Sequence, residues 1–159
     1  MSDLPLLTDI ALPTEDDTVA LGTALAGVAR AGDVIALNGP LGAGKTTLAR
    51  GFITALTQVD EDVVSPTFTL VQVYDAPTAP IWHFDLYRLT AVQDVLELGW
   101  DEALSGGISV VEWPERLGAL LPKNRLDVVL SSRPGSNERR AALHGGAQWK
   151  DRIADMKHD

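Results

Sequence analysis

The chain has 159 residues, 45% of them apolar and 22% charged, which is enough for one domain with its own core and excludes a collagen-like or wholly disordered polymer. It contains no cysteine, so disulfides, zinc–thiolate sites, iron–sulfur clusters and thiol nucleophiles are all excluded. A net charge of −9 argues against a protein that coats nucleic acid by charge alone.

The first residues, MSDLPLLTDIALP, carry no basic region ahead of their few apolar residues. No apolar run approaches the length of a membrane span, so the expectation is a cytoplasmic protein with neither membrane nor DNA as a partner. Thr14, followed by Glu15, Asp16 and Asp17, reads as an N-cap with acids in the first turn. Leu21, Leu25 and Val28 recur at helical spacing, Arg30 falls in the last turn and Gly32 is the stop. Asp33–Leu37 is a short apolar strand, ended by the glycine-rich stretch 39–44, after which Thr46–Thr57 has helical character.

Further strands are expected at Leu70–Tyr74, Ile81–Asp85, Ile108–Glu112, Leu126–Ser131 and Arg140–His144. A helix is expected over Thr90–Leu104, with a short one after Pro114. Residues 60–65 and 75–80 read as surface loops, and so does Leu104–Gly107 despite its likeness to part of the transporter ATPase signature. Strands interleave with helices early and run together late, which predicts a single-domain α/β fold with a mixed, mainly parallel sheet and flanking helices. Charge divides along the chain: residues 1–122 hold 17 acids and 5 bases, net −12, whereas 123–159 hold 5 acids and 8 bases, net +3. That basic end reads as solvated charge, with Arg139, Arg140, Lys150 and Arg152 on a final hairpin and a frayed tail, rather than as a polyanion contact. The expected division is a domain over residues 1–145 and a flexible tail over 146–159.

The chemistry concentrates in Gly39-Pro40-Leu41-Gly42-Ala43-Gly44-Lys45-Thr46, which matches GxxxxGK[ST] between a strand and a helix. Glycines let successive N–H groups turn into one concavity, and the helix N-terminus adds positive potential, so the segment predicts a phosphate cradle of the P-loop NTPase kind. Gly39, Leu41, Gly42, Ala43 and Gly44 supply the backbone of that cradle, while Pro40 removes one N–H donor. Lys45 reaches the β- and γ-phosphates as a point charge and the Thr46 hydroxyl binds Mg²⁺.

A magnesium site needs a second protein oxygen, and two acids close apolar strands: Asp85 ends Ile81-Trp82-His83-Phe84-Asp85 and Glu112 ends Ile108-Ser109-Val110-Val111-Glu112. His83 fits a satisfied sheet position as well as it fits proton transfer. Ser65-Pro66-Thr67-Phe68-Thr69 stands where switch hydroxyls reach nucleotide in such folds. No Asn-Lys-x-Asp element is present, which makes ATP the default nucleotide, and no cis arginine is assignable.

Taken together, GPLGAGKTT (39–47), SPTFTLV (65–71), Tyr74, HFDLYRL (83–89) and EWPE (112–115) resemble the bacterial TsaE (YjeE) family, over about residues 14–130. The chain departs from the family string at Pro40, where an acid is usual. The resemblance implies a P-loop ATPase of tRNA threonylcarbamoyladenosine biosynthesis that uses ATP and Mg²⁺. It also implies slow turnover alone and work with TsaB and TsaD subunits, tRNA being reached indirectly or weakly. It further implies phosphate contacts from Lys45, Thr46 and Thr47, a switch role for Thr67 and a catalytic or Mg²⁺-linked role for Asp85. Glu112 takes the metal-linked acid role and Trp113 packs beside the nucleotide. Two alternatives stay open: a small-metabolite kinase, whose Arg-rich lid is not visible, and a nucleotide-holding scaffold without turnover.

Overall fold

The computed structural model describes residues 2–58, 63–136 and 138–156. Among these residues the strands are β1 (Leu6–Leu12), β2 (Val34–Asn38), β3 (Val71–Tyr74), β4 (Ile81–Asp85), β5 (Ile108–Glu112), β6 (Leu126–Ser132) and β7 (Arg139–His144). The helices are α1 (Glu15–Ala26), α2 (Lys45–Thr57), α3 (Asp94–Glu97), α4 (Trp100–Gly106) and α5 (Ala147–Ala154), with a 3₁₀ segment over Pro114–Leu120.

One sheet holds the seven strands in the order β1-β7-β6-β2-β5-β4-β3. The four central strands β6, β2, β5 and β4 run parallel, and β1, β7 and β3 pair antiparallel at the flanks. This is the mixed α/β sheet expected from the alternation of apolar runs. Side chains alternate across each strand, so β2 sends Ile35 and Leu37 into one core and Val34 into the other. The first core joins Leu21 and Leu25 of α1, Leu48, Phe52 and Ile53 of α2, and Trp149 and Ile153 of α5. Phe84, Trp100, Val111 and Leu117 build the second, on the opposite face.

The α1 start matches its sequence signals: Thr14 and Asp17 form a reciprocal capping box, with the Thr14 backbone N–H donating to Asp17 Oδ2 at 2.9 Å. Helices α1 and α2 then cross with their backbones in contact. A Cβ on Gly22 would lie 2.3 Å from the Leu48 carbonyl oxygen, and one on Gly51 2.3 Å from that of Val19. Only glycine allows that approach, and it seats the helix carrying Lys45 and Thr46 directly against α1.

Three expectations need correction, and one strand was not expected. The first helix ends at Ala26 rather than near Arg30, because Arg30 N–H instead donates to Asp33 Oδ2 at 2.6 Å in a turn that leads into β2. The helix expected over Thr90–Leu104 is two pieces, α3 and α4, separated by Gly99 at φ 98°, where a Cβ would press on the Trp82 ring. Leu104–Gly106, expected as loop, is the last turn of α4. Strand β1 was hidden from pattern reading because it lies on the sheet edge and alternates irregularly, its pairing with β7 slipping between Leu6 and Thr8.

The C-terminal segment differs most from expectation. Residues 147–154, expected in a frayed tail, form α5, whose Trp149 is 1% exposed within the first core. Arg152 is buried too: its guanidinium bonds both carboxylate oxygens of Asp33, Nη1 to Oδ1 at 3.1 Å, and its Nε donates to the Val28 carbonyl at 3.0 Å. Other basic residues of the same region are also paired, Arg140 with Asp9 at 3.0 Å and Arg125 with Asp127 at 2.7 Å. Residues 60–62 of the expected 60–65 loop lie outside the described residues, as do 59, 137 and 157–159. No helix among the described residues is long and apolar enough to cross a membrane.

Candidate functional site

The segment 39–44 joins the end of β2 to the start of α2, the strand–loop–helix context that a phosphate cradle requires. Three positive backbone angles, Gly39 at φ 149°, Gly42 at φ 78° and Gly44 at φ 102°, turn the chain back onto the helix, and Leu48 N–H closes the first turn on the Gly44 carbonyl at 2.9 Å. Lys45 is therefore the first residue of α2, and Thr46 follows it at the bottom of a cleft of about 280 Å³.

Of the residues singled out from sequence, Leu41, Gly42, Gly44, Lys45, Thr46, Thr47, Thr67, Asp85, Glu112 and Trp113 line this cleft. Gly39 and Ala43 do not. Ala43 is buried in the first core and donates its N–H to the Pro40 carbonyl at 3.2 Å, while a Cβ on Gly39 would lie 2.7 Å from the Leu130 carbonyl. Both shape the turn from behind.

Asp85 and Glu112 are directly paired in register at the ends of the neighbouring parallel strands β4 and β5, 4% and 3% exposed. Their partners are polar and mostly neutral. Thr46 Oγ1 donates to Glu112 at 3.0 Å, Ser65 Oγ bonds Asp85 and approaches Glu112 Oε2 at 3.2 Å, and Thr67 Oγ1 donates to Asp85 Oδ2 at 3.2 Å. Tyr87 N–H donates to Asp85 Oδ1 at 3.1 Å. His83, fully buried, places Nε2 2.7 Å from Glu112 Oε2, and its Nδ1 has no partner. A carboxylate only accepts, so Nε2–H donates to Glu112 Oε2, the oxygen that Thr46 Oγ1 also approaches at 3.2 Å.

Two adjacent buried carboxylates repel one another, and neither is in an ion pair with lysine or arginine among the described residues. A divalent cation relieves that repulsion. The side-chain donors that Thr46 and Glu112 turn to the cleft are hard oxygens. Oxygen donors of this type fit a hard divalent cation such as Mg²⁺.

Lys45 is 5% exposed; its Nζ donates to the Gly39 carbonyl at 2.5 Å and stands 3.3 Å from the centroid of the Trp113 ring. Burial strips water from the ammonium and lowers its pKa below the ordinary lysine value, against the opposing pull of Glu112, Glu115 and Asp85. Trp113 holds a left-handed backbone at φ 62° directly before Pro114, a conformation that costs a non-glycine residue about 1–3 kcal/mol. The kink turns its indole across the end of β5 and over Lys45. Tyr87 backs it at 4.9 Å between ring centroids.

The segment 65–69 closes the cleft from the β4 side. Ser65 and Thr67 face the acids, whereas Phe68 is 81% exposed and carries the Arg88 guanidinium 4.7 Å from its ring centroid. Sequence reasoning missed one lining residue, Arg139, which comes from β7. No motif marks it, because the strand that carries it returns to the cleft only through antiparallel pairing with β6.

Residues 12–141 match the model of a family described as threonylcarbamoyl adenosine biosynthesis protein TsaE. The tRNA threonylcarbamoyladenosine biosynthesis protein TsaE of Bacillus subtilis is 39% identical over 125 residues, covering 78% of this chain and 77% of that protein. The protein of the same description from Rickettsia conorii is 39% identical over 121 residues, covering 76% and 69%. The one from a Nostoc species is 41% identical over 130 residues, covering 79% and 78%. In three dimensions the chain is similar to the crystal structure of Bacillus subtilis YdiB, with a TM-score of 0.78, 29% identity, and coverage of 98% of this chain and 96% of that one.

Proposed function

This chain belongs to the TsaE family and so to tRNA threonylcarbamoyladenosine biosynthesis, and on that premise we propose that it binds MgATP in the glycine cradle and hydrolyses it slowly as a switch within that modification machinery. The observation that carries the reading is the convergence of Thr46 with the in-register pair Asp85 and Glu112 beside Lys45.

Phosphoryl transfer to water asks little covalent chemistry of a protein; it asks for position and for charge neutralisation. Gly42, Gly44 and Lys45 present backbone N–H groups to the phosphates, and the Lys45 ammonium exchanges its loop carbonyl for phosphate oxygen. Thr46 and Glu112 would hold Mg²⁺, which when bound would supply charge neutralisation on the phosphate chain. Asp85, bonded to Ser65 and Thr67, is placed to orient the attacking water. Trp113 screens Lys45 and packs beside the nucleotide, with Thr47 on the phosphates nearer the ribose.

The bonds from Ser65 and Thr67 to Asp85 make residues 65–69 responsive to whatever occupies the acids, and exposed Phe68 carries that state to the surface. We assign TsaB- and TsaD-type subunits as the readers of that state. With a net charge of −9 and most of its C-terminal arginines paired, this chain reaches tRNA through those subunits, in the cytoplasm. Inorganic phosphate release from MgATP, measured with and without the partner subunits, tests the proposal. Release that rises with the partners is expected. No release in either case would leave a nucleotide-holding scaffold.

A further inference from the structure

Arg139 opens β7, in register with Leu12 of β1 and Ser132 of β6, level with the C-terminal end of the parallel strand β6. Its side chain reaches back to the glycine loop. Nη2 donates to the Gly42 carbonyl at 3.1 Å, and Cδ and Nε lie 3.1 and 3.2 Å from where a Cβ on Gly44 would stand. Gly44 thus leaves room for the arginine as well as for its own positive φ.

The neighbouring arginines all engage carboxylates: Arg140 with Asp9, Arg133 with Glu138, Arg125 with Asp127 and Arg152 with Asp33. Arg139 has no carboxylate within 4.0 Å among the described residues, and its Nε is buried with no hydrogen-bond partner. A guanidinium is always charged and offers five donors, of which one neutral carbonyl takes one. An unpaired cation with a sequestered N–H is costly to keep, and an anion relieves that cost. Arg139 also lines the cleft, on the β6 and β7 side of β2, whereas Asp85 and Glu112 stand on the β5 and β4 side.

We propose that Arg139 is a second cationic contact for the nucleotide's phosphate chain, gripping the flank away from the metal-binding acids. Its planar fork bridges two phosphate oxygens, which the Lys45 point charge does not do. The chain thereby supplies in cis a charge that no motif announces. This inference rests on the nucleotide reading of the same cleft.

Titration calorimetry with MgATP on the parent chain and on Arg139→Gln, Arg139→Lys and Arg139→Ala tests it, with thermal melting of each. Glutamine keeps a donor for the Gly42 carbonyl and loses the charge, so a merely bracing role would survive it. The expected result is at least about tenfold weaker binding for Arg139→Gln and Arg139→Ala at unchanged melting temperature, with part of the affinity recovered in Arg139→Lys. Parental affinity in Arg139→Gln, or Arg139→Lys no better than Arg139→Gln, would overturn the assignment. A parent chain that takes no nucleotide fells the nucleotide reading together with this one, whereas normal parental binding with an indifferent Arg139→Gln fells this one alone.

Discussion

The Thr46 hydroxyl donates to the Glu112 carboxylate at 3.0 and 3.2 Å across 66 positions of sequence, tying the first turn of α2 to the end of β5. Under the proposed function these two side chains share one small hard cation with phosphate oxygens. Glu112→Gln keeps the shape and removes the charge, so turnover is expected to fall roughly 100-fold while MgATP affinity changes much less. Single-turnover phosphate release beside equilibrium titration separates the two quantities. Equal loss in both would remove Glu112 from the transition state.

Trp113 reports the cleft optically. It lines the site, whereas Trp82, Trp100 and Trp149 are 9%, 1% and 1% exposed inside the two cores. Nucleotide addition is expected to change the tryptophan emission of the parent chain and to leave that of Trp113→Phe unchanged. A full emission change in the variant would place the nucleotide away from this indole.

Lys45 makes two pH dependences run in opposite directions. Its pKa in the folded chain lies below the ordinary value of 10.5, so between the two values the unfolded chain holds a proton that the folded chain has released. Folding stability from this group therefore rises with pH across that alkaline window and levels off above 10.5. Nucleotide affinity needs the ammonium and falls across the same window. Calorimetry and urea unfolding over an alkaline pH series check both signs, and affinity that stays flat through the window would contradict the charge-assisted contact.

The C-terminal helix contributes to the core. Trp149→Ala is expected to cost about 3–5 kcal/mol through the cavity it leaves, and Arg152→Ala a similar amount by stranding Asp33. Urea unfolding measures both. A change under about 0.5 kcal/mol, the scale of an ordinary surface substitution, would restore the view of α5 as a loosely attached tail.

The loop between β2 and α2 and the two acids at the ends of β4 and β5 were legible because their signals are local. Glycines at this spacing before Lys-Thr, set between a branched strand and a helix, suit a phosphate group and little else, and Asp85 and Glu112 each close a short apolar run. What escaped depends on long-range pairing. Arg139 and Arg152 look like any surface arginines until β7 folds back beside β6 and α5 packs across Val28 and Asp33. The short C-terminal helix carries glycines before it and charges on it, so composition suggested fraying, while a single buried tryptophan decided otherwise. Thr90–Leu104 read as one helix because Gly99 is tolerated in a helical pattern; packing against Trp82 made it a break.

The most direct measurement is the heat of MgATP association with the folded parent chain and with Lys45→Ala. Saturable binding to the parent, weakened by about 1.5–3 kcal/mol when the ammonium is removed, is the predicted result. No association with a parent chain whose fold is verified, or equal affinity in the two proteins, would contradict the claim that this glycine cradle holds a nucleotide's phosphates.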